Sequence, residues 1–144
     1  MSKRMRWSGG LGLDLAVMLA SGCAGTGTPV MPLPPAKALQ PSDLASLAGE
    51  WDGTLRGTVG SPGPLAGRAE SARVTVAPDG SYTSVVRGSP GVGQARIEGG
   101  KVLFVGSLTR GTATLHEGDG RRVLKGTGTW VGFYGESEFE LTKR

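Results

Sequence analysis

The chain is poor in the residues that carry most enzymatic chemistry. Among its 144 residues there is one cysteine, Cys23, and one histidine, His116. A single cysteine excludes an intrachain disulfide, so a secreted domain built from this chain has to hold together by packing alone. One histidine cannot assemble a zinc site, which needs further ligands converging from other strands. Alternation with Leu115 points His116 outward, beside Glu117 and Asp119, as a solvated side chain near a turn. Without a histidine or thiol partner the serines have no activating base. Glu50 and Asp52 bracket Trp51 and share its opposite face, where charged residues on a solvated surface are expected rather than an acid–base pair. No stretch between Gly49 and Arg144 has room for a crossover helix, which excludes a parallel sheet. An enzyme is the least expected class, and neither a metal nor a cofactor is implied.

Charge of one sign is also scarce. The formal net charge of +4 comes from 16 basic and 12 acidic residues. Lys3, Arg4, Arg6 and Asp14 all lie in the first 22 residues, and without them 13 basic and 11 acidic residues remain, a net +2. No clustered basic stripe survives, so nucleic acid is not an expected partner.

What is present begins with an address. Lys3, Arg4 and Arg6 precede a run from Leu11 to Ala20 that is apolar except for Gly12 and Asp14, and the run ends on Ala20-Ser21-Gly22-Cys23. A basic start, a short apolar stretch and small residues at the junction form a secretory signal. The alternatives are a buried helix or an anchor that is never cut, but the run is too short to span ~30 Å of hydrocarbon. Small residues before a cysteine resemble the lipobox of bacterial lipoproteins. That resemblance implies cleavage before Cys23, lipidation of Cys23 and tethering to a membrane. Ala24, rather than Asp, after the cysteine implies sorting to the outer membrane of a two-membrane envelope.

Residues 24–46 hold Pro29, Pro32, Pro34, Pro35 and Pro41 among small residues and read as an extended spacer. Ser42 to Leu47 could form one helical turn capped by Ser42, closing the bottom of the domain. The expected organisation is a signal segment over 1–22, a lipid-anchor cysteine and Pro-rich linker over 23–46, and a folded domain over 47–144.

From Gly49 the apolar period becomes two. Trp51 and Leu55 share one face, as do Ala72, Val74 and Val76, then Val102 with Phe104, and Phe139 with Leu141. This alternation predicts half-buried strands, about eight of them, near 49–59, 69–77, 81–87, 93–98, 101–106, 111–117, 121–130 and 136–142. Pro78-Asp79-Gly80, Gly99-Gly100 and Gly118-Asp119-Gly120 are tight hairpin turns. The other connections, 60–68, 88–92, 107–110 and 131–135, read as longer loops. The tetrapeptide Gly-Ser-Pro-Gly occurs twice among them, at Gly60 and Gly88, where turn chemistry explains it. The fold class is all-β, a small up-and-down antiparallel meander closing into a barrel. Closure leaves no exposed edge, so a monomer is expected. Gly49-Glu50-Trp51 resembles the Gly-x-Trp of lipocalin-like (calycin) barrels, which implies that Trp51 plugs the closed end.

In such a meander the tight turns share one end with both termini of the domain, facing the membrane. The longer loops share the other end, with Arg68, Arg87, Arg110, Phe133 and Tyr134, the composition of a binding hot spot. The expected function is a membrane-anchored envelope binding module for a small ligand. The rival is an inhibitor or assembly partner of another envelope protein, acting through those loops. A wide apolar pocket favours the first, and a filled barrel favours the second.

Overall fold

Buried and exposed residues alternate along nearly every strand, and that pattern fixes the inside of the barrel. The computed structural model describes residues 31–58, 67–130 and 133–144, without the side chains of residues 133–135. Its strands are β1 (Ala36–Lys37), β2 (Gly49–Gly57), β3 (Ala69–Val76), β4 (Ser81–Val86), β5 (Ser89–Glu98), β6 (Lys101–Gly106), β7 (Thr109–Gly118), β8 (Arg121–Trp130) and β9 (Phe133–Lys143). Each of β2 to β9 pairs antiparallel with the next, and β9 returns to pair with β2. This is the expected eight-stranded up-and-down barrel. Trp51, Leu55, Val74, Tyr82, Val102, Phe104, Leu115, Leu124, Phe139 and Leu141 point inward and form one core.

The termini sit where the meander requires. Trp51 pairs with Lys143, and the Arg144 N–H donates to the Glu50 carbonyl at 3.0 Å. The start of β2 and the C-terminus therefore share an end with the turns at Ala77–Gly80, Gly99-Gly100 and Asp119-Gly120. Gly99, Gly100, Asp119 and Gly120 all have positive φ, as two-residue hairpin turns demand.

The opposite end differs from expectation in two of its four connections. Arg87 and Gly88, with φ of 52° and 78°, form a two-residue hairpin, and Val86 pairs with Ser89 directly across it. Ser89, Pro90 and Gly91, read above as loop, are thus the first residues of β5. Pairing of β5 with β6 begins only at Gly93 opposite Gly106, so Pro90 lies where β5 has a neighbour on one side alone. Proline lacks an N–H and is tolerated in such an edge stretch. Ser107 and Leu108 likewise form a short link between β6 and β7 rather than a long loop. The stretches 59–66 and 131–132 lie outside the described residues.

The second half of the Pro-rich segment is not a free spacer. Pairing of β6 with β7 stops at Ala113, and β1 takes over the exposed edge, pairing Ala36 with His116 and Lys37 with Leu115. The prolines flank this two-residue ladder instead of interrupting it. The Glu117 N–H donates to the Pro35 carbonyl at 3.0 Å, and the Leu39 N–H to that of Gly100 at 3.0 Å. Leu39 is buried in the core. His116, expected to be solvated, is half-buried under this strap, with Nδ1 3.0 Å from the Pro34 carbonyl oxygen.

A 3₁₀ helix, Pro41–Leu47, then closes the turn end. Asp43, not Ser42, secures its start, since the Asp43 carboxylate accepts the Gln40 N–H at 2.8 Å. Leu47 is buried, and its carbonyl accepts the indole N–H of Trp51 at 2.8 Å. Trp51 is therefore a core residue of the closed end, tied to the 3₁₀ helix that covers it.

Candidate functional site

A site inside the barrel needs space, and the core leaves little. The interior void, lined by Val74, Tyr82, Phe104, Thr109, Trp130, Phe139 and Leu141, measures about 10 Å³. Tyr82, Phe104, Phe139 and Trp130 fill the rest with edge-to-face contacts at centroid separations of 5.4, 6.2 and 6.3 Å. Tyr82 reaches this position by leaning across a pair of glycines. A Cβ on Gly93 would stand 2.5 Å from its hydroxyl, and one on Gly106 would collide with it. The condition for a small-ligand pocket, a wide apolar cavity, is not met among the described residues.

Toward the loop end the inner face turns polar. The side chains of Tyr82, Ser84, Thr109, Trp130 and Ser137 are buried, and their hydroxyl or indole groups have no hydrogen-bond partner among the described residues. A buried group left in that condition costs about 1–3 kcal/mol. Burial pushes the Tyr82 phenol up; the Thr109 hydroxyl tempers the shift without reaching hydrogen-bond geometry.

The outer wall offers a second candidate. Val85 on β4, Val92 on β5 and Val105 on β6 face outward and are 43%, 61% and 39% exposed. Pro90 lies directly opposite Val85. Shallow depressions flank this ridge. One of about 300 Å³ is lined in part by Arg73, Val85 and Arg87, and one of about 340 Å³ in part by Thr83 and Val92. Arginines surround it: Arg73 is the cross-strand partner of Val85, and Arg110 that of Val105, while Arg96 follows on β5. Arg73 is bound to Asp52 at 2.7 Å and Arg87 lies 3.7 Å from Glu70. Arg96 and Arg110 have no ion-pair partner among the described residues.

The chain matches no family model, no curated protein and no solved structure.

The residues singled out in the sequence are therefore placed by geometry alone. Arg68, just before β3, and Arg87, at the β4–β5 turn, are both exposed. Arg110 is also exposed at that end, but β7 is four strands around the ring from β3. The three arginines share the loop end without forming one cluster. Arg87 and Arg110 instead flank the valine ridge from its two sides, and Arg68 stands apart from it. Phe133 and Tyr134 open β9, and their side chains lie outside the described residues, as does Cys23. The signal missed in the sequence is the valine set, because alternation alone does not say which face of a Val-rich strand is inside.

Glu50 and Asp52 lie on the outer face as expected, and both are ion-pair partners of Arg144. The Arg73 hydrogen bond is the main cause holding the Asp52 carboxyl below its usual range. A carboxylate held ionised in this way is a poor general acid. Among the described residues no cluster of three His, Cys, Asp or Glu side chains could hold a metal, and no helix is long and apolar enough to cross a membrane.

Three lowered carboxyls set an acid dependence. Asp52 is held by Arg73, Asp79 by the Ser81 hydroxyl and Glu117 by Lys37. A carboxylate with a depressed folded pKa stabilises the fold fully above its unfolded value and loses that contribution as pH falls through the folded value. The urea midpoint is expected to stay level down to about pH 4 and to fall below it. Asp79→Asn should flatten part of that fall. A midpoint unchanged between pH 5 and pH 2.5 would show that these contacts are not kept in solution.

Proposed function

We propose that this chain is a lipid-tethered envelope protein whose barrel is a docking module for another protein, engaged on the outer wall of β4 to β6. The partner is a surface with an apolar centre and an acidic rim. The observation that carries this reading is the ridge of Val85, Val92 and Val105, exposed together beside Arg96 and Arg110, which have no ion-pair partner among the described residues. An exposed apolar patch rimmed by polar residues marks an interaction surface, and arginine is among the residues enriched at protein interfaces. A membrane surface is less well matched. Membrane-facing walls carry Trp and Tyr at the lipid–water boundary, whereas among the described side chains Trp51, Tyr82 and Trp130 all point inward. The tight packing of the interior among the described residues favours a protein partner over a small ligand. The tether comes from the resemblance of the Cys23 segment to a lipobox, and outer-membrane sorting from Ala24.

A photo-cross-linking residue placed at Val92, and separately at exposed Thr127 on the opposite wall, tests the reading in intact cells. The expected result is a discrete protein adduct from position 92 alone, lost with Arg96→Glu/Arg110→Glu and weakened by salt. Cys23→Ala should abolish fatty-acid labelling and reduce the adduct by dispersing the protein. Equal adducts from both walls would sink the docking surface, and lipid adducts from position 92 would reassign it to a membrane.

A further inference from the structure

Beside Val85, at the β3 side of the docking wall, the outer depression of about 300 Å³ is lined in part by Asp52, Ser71, Arg73, Val85 and Arg87. Resting on the docking reading above, we infer that Ser71, Arg73 and Arg87 hold a carboxylate there, an aspartate or glutamate side chain of the protein that docks. The donors are not spent. Arg73 gives its Nε–H to Asp52 at 2.7 Å, and its two terminal nitrogens bond nothing among the described residues. Arg87 approaches Glu70 only to 3.7 Å, beyond hydrogen-bond reach, and the Ser71 hydroxyl has no partner among the described residues. Asp52, the one acid lining the depression, is already held by both Arg73 and Arg144. A carboxylate accepts through two oxygens and can meet both guanidinium groups at once. A cation entering the depression would face two arginines instead.

The backbone at Arg87 is the second observation. Its φ of 52° lies in the left-handed region, where a Cβ crowds the following carbonyl oxygen. Arg87-Gly88 is a two-residue hairpin with positive φ at both positions, and the first position of such a turn favours asparagine, aspartate or glycine. Asp119, with φ of 51° before Gly120, follows that rule, and Arg87 departs from it. No hydrogen bond of its side chain to the described residues explains the departure. A residue kept in a strained conformation without a contact inside the fold points to a contact outside it. Arg87 is also the lining residue nearest the tip of the β4–β5 hairpin, where a docking surface meets it first.

Two measurements test the pocket. In the first, sodium acetate is the probe, added to the ¹⁵N-labelled protein at constant ionic strength. The side-chain Nε–H signals of Arg73 and Arg87 should shift together and saturate, while those of Arg96 and Arg110 should not. Arg87→Asn should remove the Arg73 response. The same variant should keep or raise the urea midpoint, because asparagine suits a left-handed turn position, so a lost response is not a lost fold. In the second, Arg87→Asn is combined with the photo-cross-linking residue at Val92 in intact cells, and the adduct should fall about tenfold. Arg87→Glu should recover the adduct when the partner's matching acid is changed to lysine. Acetate shifts no larger at Arg73 and Arg87 than at Arg96 and Arg110 overturn the pocket, whatever the cross-links show. A midpoint that falls in Arg87→Asn overturns it too, since Arg87 would then serve the fold. An adduct undiminished by Arg87→Asn removes the partner's carboxylate and leaves the docking reading standing. No adduct from position 92 in the wild type sinks that reading, and the proposed occupant with it.

Discussion

Trp51→Ala is expected to lower stability by about 3–5 kcal/mol, the usual cost of emptying a large aromatic site. A domain of this size has about 5–15 kcal/mol in total, so the variant should be partly unfolded at 37 °C. The effect is large because Trp51 joins three parts of the turn end. It is fully buried, and its indole N–H donates to the Leu47 carbonyl at 2.8 Å, pinning the 3₁₀ helix to the barrel. The Arg122 guanidinium and the Lys143 ammonium lie 6.0 and 5.7 Å from its ring centroid. Both cations also bond the Ser46 carbonyl, at 2.6 and 3.0 Å. Removing the ring leaves a cavity, a buried carbonyl without its donor and two cations without their π face. Trp51→Phe keeps part of the volume and should cost less. The urea midpoint followed by far-UV circular dichroism measures both. An unchanged midpoint in Trp51→Ala would place the residue outside the core.

The legible parts of the fold were those in which one face is apolar and the other is not. In β3, Ala72, Val74 and Val76 alternate with Ser71, Arg73 and Thr75, so both its inside and its boundaries could be read. The tight turns were legible because glycine stands where φ is positive. Four things were not. Pro90 argued against a strand, and only the missing β6 neighbour explains its presence in β5. The density of proline before Leu47 hid the two-residue ladder at Ala36–Lys37 and the anchoring of Leu39. In β4 and β5 the outward residues Val85 and Val92 are as apolar as the inward ones. The candidate surface was therefore concealed by the same signal that revealed the fold. The inward hydroxyls were hidden in reverse: Ser84 and Ser137 are in phase with Tyr82 and Val86 and with Phe139 and Leu141, but a serine or threonine is by type a surface residue, and so is Thr109.

Closure of the barrel rests on a seam that a single methyl group should open. β2 and β9 pair from Trp51 opposite Lys143 to Gly57 opposite Ser137, and Gly53 faces Leu141 in the middle. A Cβ on Gly53 would collide with the Glu140 carbonyl oxygen and stand 2.8 Å from its carbon and 2.9 Å from the Leu141 Cα. All three obstacles are backbone, so no rotamer change relieves them. Overpacking costs about 1–3 kcal/mol where side chains can yield; here the strands themselves must part, and Gly53→Ala should lie at or above the top of that range. The loss should have a second signature. A parted seam exposes the edges of β2 and β9, and such edges recruit other chains. Gly53→Ala is expected to show faster hydrogen exchange in both strands and a concentration-dependent larger species by size exclusion with light scattering. Gly88→Asn is the matched control, because nothing lies within 4 Å of a Cβ there, and asparagine tolerates its φ of +78°. It should stay monomeric with a near-native midpoint. If Gly53→Ala unfolds with the wild type and remains monomeric, the β2–β9 pairing is not what closes this barrel.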